Sequence, residues 1–208
     1  MAIILGVDFD NTLVNYDNVI YQSALQSGLI ISGTEKNKKN IRDKIRELPD
    51  GEIKWQKLQA YVYGKGMENS ILFDGVKEFF DVCRGAAINV FIISHKTEFA
   101  SMDEHGINLR DTAIDWMKQN RFFDNEGLGL SPDKIYFEAT RQGKIERIKQ
   151  LGCTHFIDDL EETFLEKKFP FNTKKILFTP HLGNCQDKGV FVANDWKMVE
   201  RYVFGTKE

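Results

Sequence analysis

A short apolar run, Ile3-Ile4-Leu5-Gly6-Val7, passes directly into Asp8-Phe9-Asp10-Asn11-Thr12-Leu13, and few folds accommodate that junction. The run has strand length and lacks the polar alternation of a half-exposed strand, so it reads as one buried on both faces. Two carboxylates, two positions apart, follow where the hydrophobic pattern stops. Alone, a carboxylate after a strand commonly serves a turn or a helix cap. What Asp8 and Asp10 do therefore depends on what the rest of the chain brings to them.

Four later segments repeat the theme of a short apolar run after a helix-like stretch: Asn89-Val90-Phe91-Ile92-Ile93, Lys134-Ile135-Tyr136-Phe137, Thr154-His155-Phe156-Ile157 and Lys175-Ile176-Leu177-Phe178. Gly189-Val190-Phe191-Val192 is a candidate extra strand. Between them, apolar residues recur at helical spacing: Val76, Phe79, Phe80 and Cys83, then Leu109, Ala113, Trp116 and Met117. Ile145, Ile148 and Leu151 mark a further helix, ended by Gly152 at a C-cap position. Alternation of this kind implies an α/β fold with a Rossmann-like parallel sheet covered by helices on both faces. Ligands then bind at the carboxyl ends of the strands, where Asp8 and Asp10 lie. Residues 16–73 break the alternation and read as three amphipathic helices, built on Ile20, Ala24 and Leu25, on Ile41, Ile45 and Leu48, and on Trp55, Leu58 and Val62. Ser32-Gly33-Thr34 and Pro49-Asp50-Gly51 separate them. The expected organisation is a core of residues 1–15 and 74–208 with a small all-helical cap, 16–73, inserted as a lid.

The chain of 208 residues carries Lys+Arg 28 against Asp+Glu 31, a net charge of -3, so nothing global draws it to nucleic acid or an anionic membrane. Cys83, Cys153 and Cys185 are odd in number and widely spaced, which argues against a disulfide framework or a cysteine-based zinc site and fits a cytoplasmic setting. The first apolar run is too short, and flanked by acids, for a signal peptide or membrane span.

The strand ends carry a consistent set of polar groups: Asp8 and Asp10, then Ser94, then Asp158 and Asp159, with Lys144 early in the helix after the third strand. Carboxylates converging on one crevice repel one another unless a cation sits among them. Mg²⁺ suits hard oxygen ligands of this kind and is commonly held by one or two carboxylates together with a phosphate. Around such an ion, Asp8 can attack phosphorus and form an acyl phosphate, and Asp10 can protonate the leaving alkoxide and then deprotonate water. Ser94 and Lys144 can bind phosphoryl oxygens, joined by backbone N–H groups of the turn at Phe9 and Asn11.

These residues resemble the motifs of the haloacid dehalogenase superfamily. Asp8-Phe9-Asp10-Asn11-Thr12 is similar to its first motif, Ile93-Ser94 to its second, Lys144 to its third and Asp158-Asp159 to its fourth, in order along nearly the whole chain. The resemblance implies a phosphatase type with Asp8 as nucleophile, Asp10 as acid and base, and Ser94 and Lys144 on the phosphate. It implies Mg²⁺ on the Asp8 carboxylate, the Asp10 main-chain carbonyl and Asp158, with Asp159 assisting. It also places the first strand between the second and the fourth. Dehalogenating members lack the second acid of the first motif, so Asp10 favours phosphate ester hydrolysis. Asp74-Gly75 stands where many members have Pro-Gly, and Asp74 can still serve as a helix N-cap.

The expected partner is a small phosphorylated metabolite; a phosphomutase, a polynucleotide end phosphatase and a non-catalytic phosphometabolite-binding module are the alternatives. The segment 34–46 has a local excess of lysine and arginine that can steer an anion, although Ile41 and Ile45 at helical spacing equally describe a solvated helix face. His95 and Lys96 follow Ser94 and lie near the phosphate site or begin the next loop, and His95 is taken as a phosphate-binding candidate. His105, His155 and His181 have no metal-ligand spacing, and His155 reads as a hydrogen-bonded core residue.

Overall fold

The computed structural model describes residues 2–103, 106–181, 187 and 189–205; His105 and Cys185 lie outside them. In chain order the strands are β1 Ile4–Val7, β2 Val14–Asn15, β3 Ile71–Leu72, β4 Asn89–His95, β5 Ile135–Glu138, β6 His155–Asp158, β7 Lys174–Phe178 and β8 Val190–Ala193. The helices are α1 Asp17–Gln26, α2 Lys38–Arg46, α3 Gly51–Tyr63, α4 Val76–Gly85, α5 Leu109–Gln119, α6 Arg141–Gln150, α7 Glu161–Phe164 and α8 Trp196–Phe204. The described residues form two compact units, one within 1–14, 72–96 and 118–208, the other within 15–71 and 97–117.

The first unit is built on a six-stranded sheet of order β5-β4-β1-β6-β7-β8, every pair parallel. β1 thus lies between β4 and β6, as the motif order implies. Chain order reverses around it, which makes its carboxyl end the crevice of a doubly wound sheet. Successive residues of a strand point to opposite faces, and β7 shows both faces covered. Leu177 joins a cluster with Ile145 and Ile148 of α6, together with Ile93 and Phe156. Its neighbour Phe178 packs on Trp196 of α8, ring centroids 5.5 Å apart, and Trp196 in turn meets Phe79 of α4 at 5.0 Å.

Two local features depart from the sequence reading. Asp74 makes no cap hydrogen bond; Gly75 holds the N-cap position of α4 at φ 86, a conformation that favours glycine. A Cβ there would also stand 3.0 Å from Trp196 Cβ, so the position is set by close approach as well as by the turn. Gly152 behaves as expected after α6: at φ +63 its N–H donates to Lys149 O, ending the helix before β6.

The second unit contains α1, α2 and α3, with Ile20, Ile41, Ile45, Trp55, Leu58 and Val62 buried. Asn37 caps α2 by accepting from Lys39 N and Asn40 N, and Asp17 Oδ1 accepts from Lys38 N at 3.2 Å, tying the start of α2 to α1. Residues 97–117, including most of α5, group with these helices. Trp55 is a core residue here, whereas Tyr61 is exposed.

Candidate active site

Three neighbouring strands deliver the site. The Asp8 N–H continues the ladder past the end of β1 by donating to Ile157 O at 2.8 Å, which fixes its backbone against β6. The chain then turns sharply. Phe9 buries its ring edge-on to Phe122 and Phe137, and its carbonyl accepts from both Leu13 N and Val14 N. Asn11 adopts φ 59, in the left-handed region that asparagine tolerates better than most residues. The loop keeps Phe9, Asp10 and Asn11 beside Asp8. It also contains Thr12, whose buried Oγ1 has no hydrogen-bond partner among the described residues.

Lys144 reaches the same edge from the fourth position of α6, whose N-terminus is capped by Thr140 Oγ1 accepting from Gly143 N. Its buried Nζ lies 2.6 Å from Asp8 Oδ1 and 2.7 Å from Asp158 Oδ2. Asp158 closes β6 and is wholly inaccessible; its other oxygen accepts from Leu160 N at 2.9 Å, which holds the carboxylate in place. Ser94 is buried near the end of β4. His95, next in sequence, points outward, with Nε2 3.2 Å from Ala139 O; burial of the ring lowers its pKa, partly opposed by that backbone hydrogen bond.

The electrostatics show a shortage of positive charge. Burial pushes the Asp8 carboxyl up to about 6, the Asp158 and Asp10 charges add to the rise, and Lys144 only partly opposes them. For Lys144, burial acts to lower the pKa, but the Asp158 and Asp8 charges outweigh it and hold the ammonium above its ordinary value. One ammonium therefore does not satisfy two buried carboxylates.

A metal ion would meet that shortage. Asp8, Asp158 and Asp159 each offer a carboxylate oxygen, all within 4.8 Å of one another. These three carboxylates give the site an all-oxygen donor set. That set fits a hard divalent cation such as Mg²⁺. The Asp10 carboxylate stands outside the group of three. It is paired instead with Lys96, whose Nζ is 2.8 Å from Oδ2 and 3.2 Å from Oδ1.

Lys96 is the residue that the sequence reading left undecided. A signal for it was present: period-two alternation through Ser94, His95 and Lys96 puts the first and third on one side. Ser94 and Lys96 are buried and His95 is exposed, as that alternation requires.

No family model and no curated protein matches this chain. Solved structures do. A haloacid dehalogenase-like family hydrolase from Streptococcus pneumoniae aligns at TM-score 0.60 with 16% identity, covering 97% of this chain and 98% of its own. A haloacid dehalogenase family hydrolase from Deinococcus radiodurans, solved with bound phosphate and sodium, aligns at 0.55 with 11% identity over 98% and 96%. A predicted phosphoglycolate phosphatase from Haemophilus somnus aligns at 0.55 with 12% identity over 97% of both chains. The fold is therefore that of the haloacid dehalogenase-like hydrolases over nearly the whole chain.

Proposed function

We infer, from a haloacid dehalogenase-like fold with this polar cluster at its central strand ends, that the protein is a Mg²⁺-dependent phosphatase acting on a small phosphate monoester. The observation that carries the reading is the contact of Lys144 with both Asp8 and Asp158 at the carboxyl edge of β1 and β6, with Asp10 two residues away under its own lysine.

In this reading a carboxylate oxygen of Asp8 attacks phosphorus while the bond from phosphorus to the ester oxygen breaks, giving an aspartyl phosphate and an alcohol. Asp10 gives its proton to the departing oxygen. It then takes a proton from the water that attacks the aspartyl phosphate, and the bond to Asp8 breaks to release inorganic phosphate. Lys144 and the Ser94 hydroxyl bind the phosphoryl oxygens as charge builds on them, with the backbone from Phe9 to Asn11 as further donors. His95, whose ring turns to Ala139, is the weakest candidate for the phosphate. The side chains of Asp8, Asp158 and Asp159, with the Asp10 main-chain carbonyl, would hold the ion. When bound, Mg²⁺ supplies a Lewis acid that neutralises these carboxylates and draws charge from the phosphoryl group.

Purified protein should release phosphate from p-nitrophenyl phosphate with Mg²⁺ and stop when the metal is chelated. Asp8→Asn should lose at least ~10³-fold, since no nucleophile remains. Full activity in that variant sinks the reading. A panel of phosphorylated metabolites then separates the candidate substrates.

A further inference from the structure

We propose that Lys96 is a positioning residue for Asp10, holding its carboxylate apart from the Asp8, Asp158 and Asp159 group so that it serves proton transfer and not metal binding. The inference rests on the phosphatase reading and adds a second lysine to it.

Lys96 is 4% exposed, and its ammonium has left water. Such a charge is costly to bury and is retained where a close partner offsets the loss. Asp10 is that partner, met at both carboxylate oxygens. The lysine is itself anchored: its main-chain N–H donates to Glu138 O at 2.9 Å, extending the β4–β5 register one residue beyond His95. The Phe9 ring centroid is 5.8 Å from the ammonium, so the charge sits by the ring of the residue that precedes its partner. The two lysines divide the acids between them. Lys144 serves Asp8 and Asp158, and Lys96 serves Asp10, whose carboxylate is absent from the group of close ligand oxygens.

The division has a chemical purpose. A cation that attracts three carboxylates attracts a fourth nearby, and a carboxylate bound to a metal no longer exchanges a proton readily. A fixed ammonium competing for Asp10 keeps that side chain where the leaving oxygen and the incoming water can reach it. Lys96 acts through Asp10 and needs no contact with substrate.

Two measurements test this. The kcat/KM values of wild type and Lys96→Met, which extend only to departure of the alcohol and leave out the water step that both esters share, are compared on an aryl phosphate, whose leaving group needs no proton, and on an alkyl phosphate, whose leaving group does. The expected loss is at least about tenfold greater on the alkyl ester. A merely structural role lowers both rates alike, so equal losses overturn the proposal. If Lys96→Met does not fold, Lys96→Gln gives the same ratio. The second measurement needs no turnover: Mg²⁺ affinity by calorimetry for wild type, Asp10→Asn, Lys96→Met and the double variant. Asp10→Asn should weaken binding more in the Lys96→Met background, because only there is Asp10 free to join the ion; an equal effect in both backgrounds overturns the proposal. If wild type hydrolyses neither ester, the phosphatase reading has failed and the calorimetric cycle alone decides on Lys96.

Discussion

Lys144 places one positive charge between two carboxylates that have almost no access to water. Removing one member of a buried ionic group leaves the others uncompensated, a change that typically costs about 3–5 kcal/mol. Lys144→Met should therefore lower the urea midpoint of the metal-free protein by a corresponding amount. Added Mg²⁺ should restore stability more to the variant than to wild type, since the ion supplies the charge that was taken away. Equal gains in the two proteins would show that Lys144 and the ion do not serve the same carboxylates. Asp8, Asp10, Ser94, Lys144, Asp158 and Asp159 were all legible as candidates, because each is a polar residue where an apolar run or helix start makes it conspicuous. The pairing of Lys96 with Asp10 was not, since the two are 86 positions apart and sequence spacing says nothing about which distant side chains meet.

At the scale of elements, β1 was the clearest reading, and it is tightly constrained at Gly6. Gly6 lies opposite Phe156 in the β1–β6 register, and a Cβ at Gly6 would come within 2.6 Å of that ring and 3.0 Å of Cys153 Sγ. A side chain there must push β6 away or displace the ring, and overpacking of this sort costs about 1–3 kcal/mol. Gly6→Ala should lower the urea midpoint accordingly. It should also reduce turnover, because Asp8 follows two residues later and Asp158 ends the strand being pushed. A midpoint equal to that of wild type would mean that the sheet absorbs the methyl group. The six sheet strands and the helices α1, α2 and α3 were readable because each carries an apolar pattern several residues long. The strands β2 and β3 have two residues each, too few for any periodicity to register. For α5 the apolar face of Leu109, Ala113, Trp116 and Met117 was plain, but such a face does not say which neighbours cover it. The cap of α4 was misassigned to Asp74 because composition favours an acid at that position, while the close approach of Trp196 to Gly75 is visible only in three dimensions.

Over the whole molecule, two buried groups make opposite demands on pH. His155 lies in β6 with Nδ1 2.9 Å from Thr154 Oγ1 and a buried Nε2 that has no partner among the described residues. Burial, helped by the Lys174 charge, lowers its pKa from 6.5 to about 4. The unfolded chain therefore binds this proton more tightly than the folded one. His155 imposes nothing above its unfolded pKa of 6.5, and its destabilisation grows as pH falls until it levels off near 4, reaching about 3 kcal/mol. Asp8 has the reverse sign. Its folded pKa is raised from 3.8 to about 6, so in metal-free protein its buried charge costs stability above pH 6, a cost relieved as pH falls from 6 toward 3.8. Between these limits the two contributions offset each other, and each variant should uncover the other group's slope. With chelator present, His155→Phe should lose less stability than wild type as the pH is lowered from 7 to 4.5. Asp8→Asn should lose more over the same interval. Urea unfolding at matched pH values checks both, and parallel pH profiles for all three proteins would exclude these two groups as the source of the dependence. Saturating Mg²⁺ should bring wild type closer to the Asp8→Asn profile, because an ion on Asp8 keeps that carboxylate charged in the folded state and removes its relief at low pH.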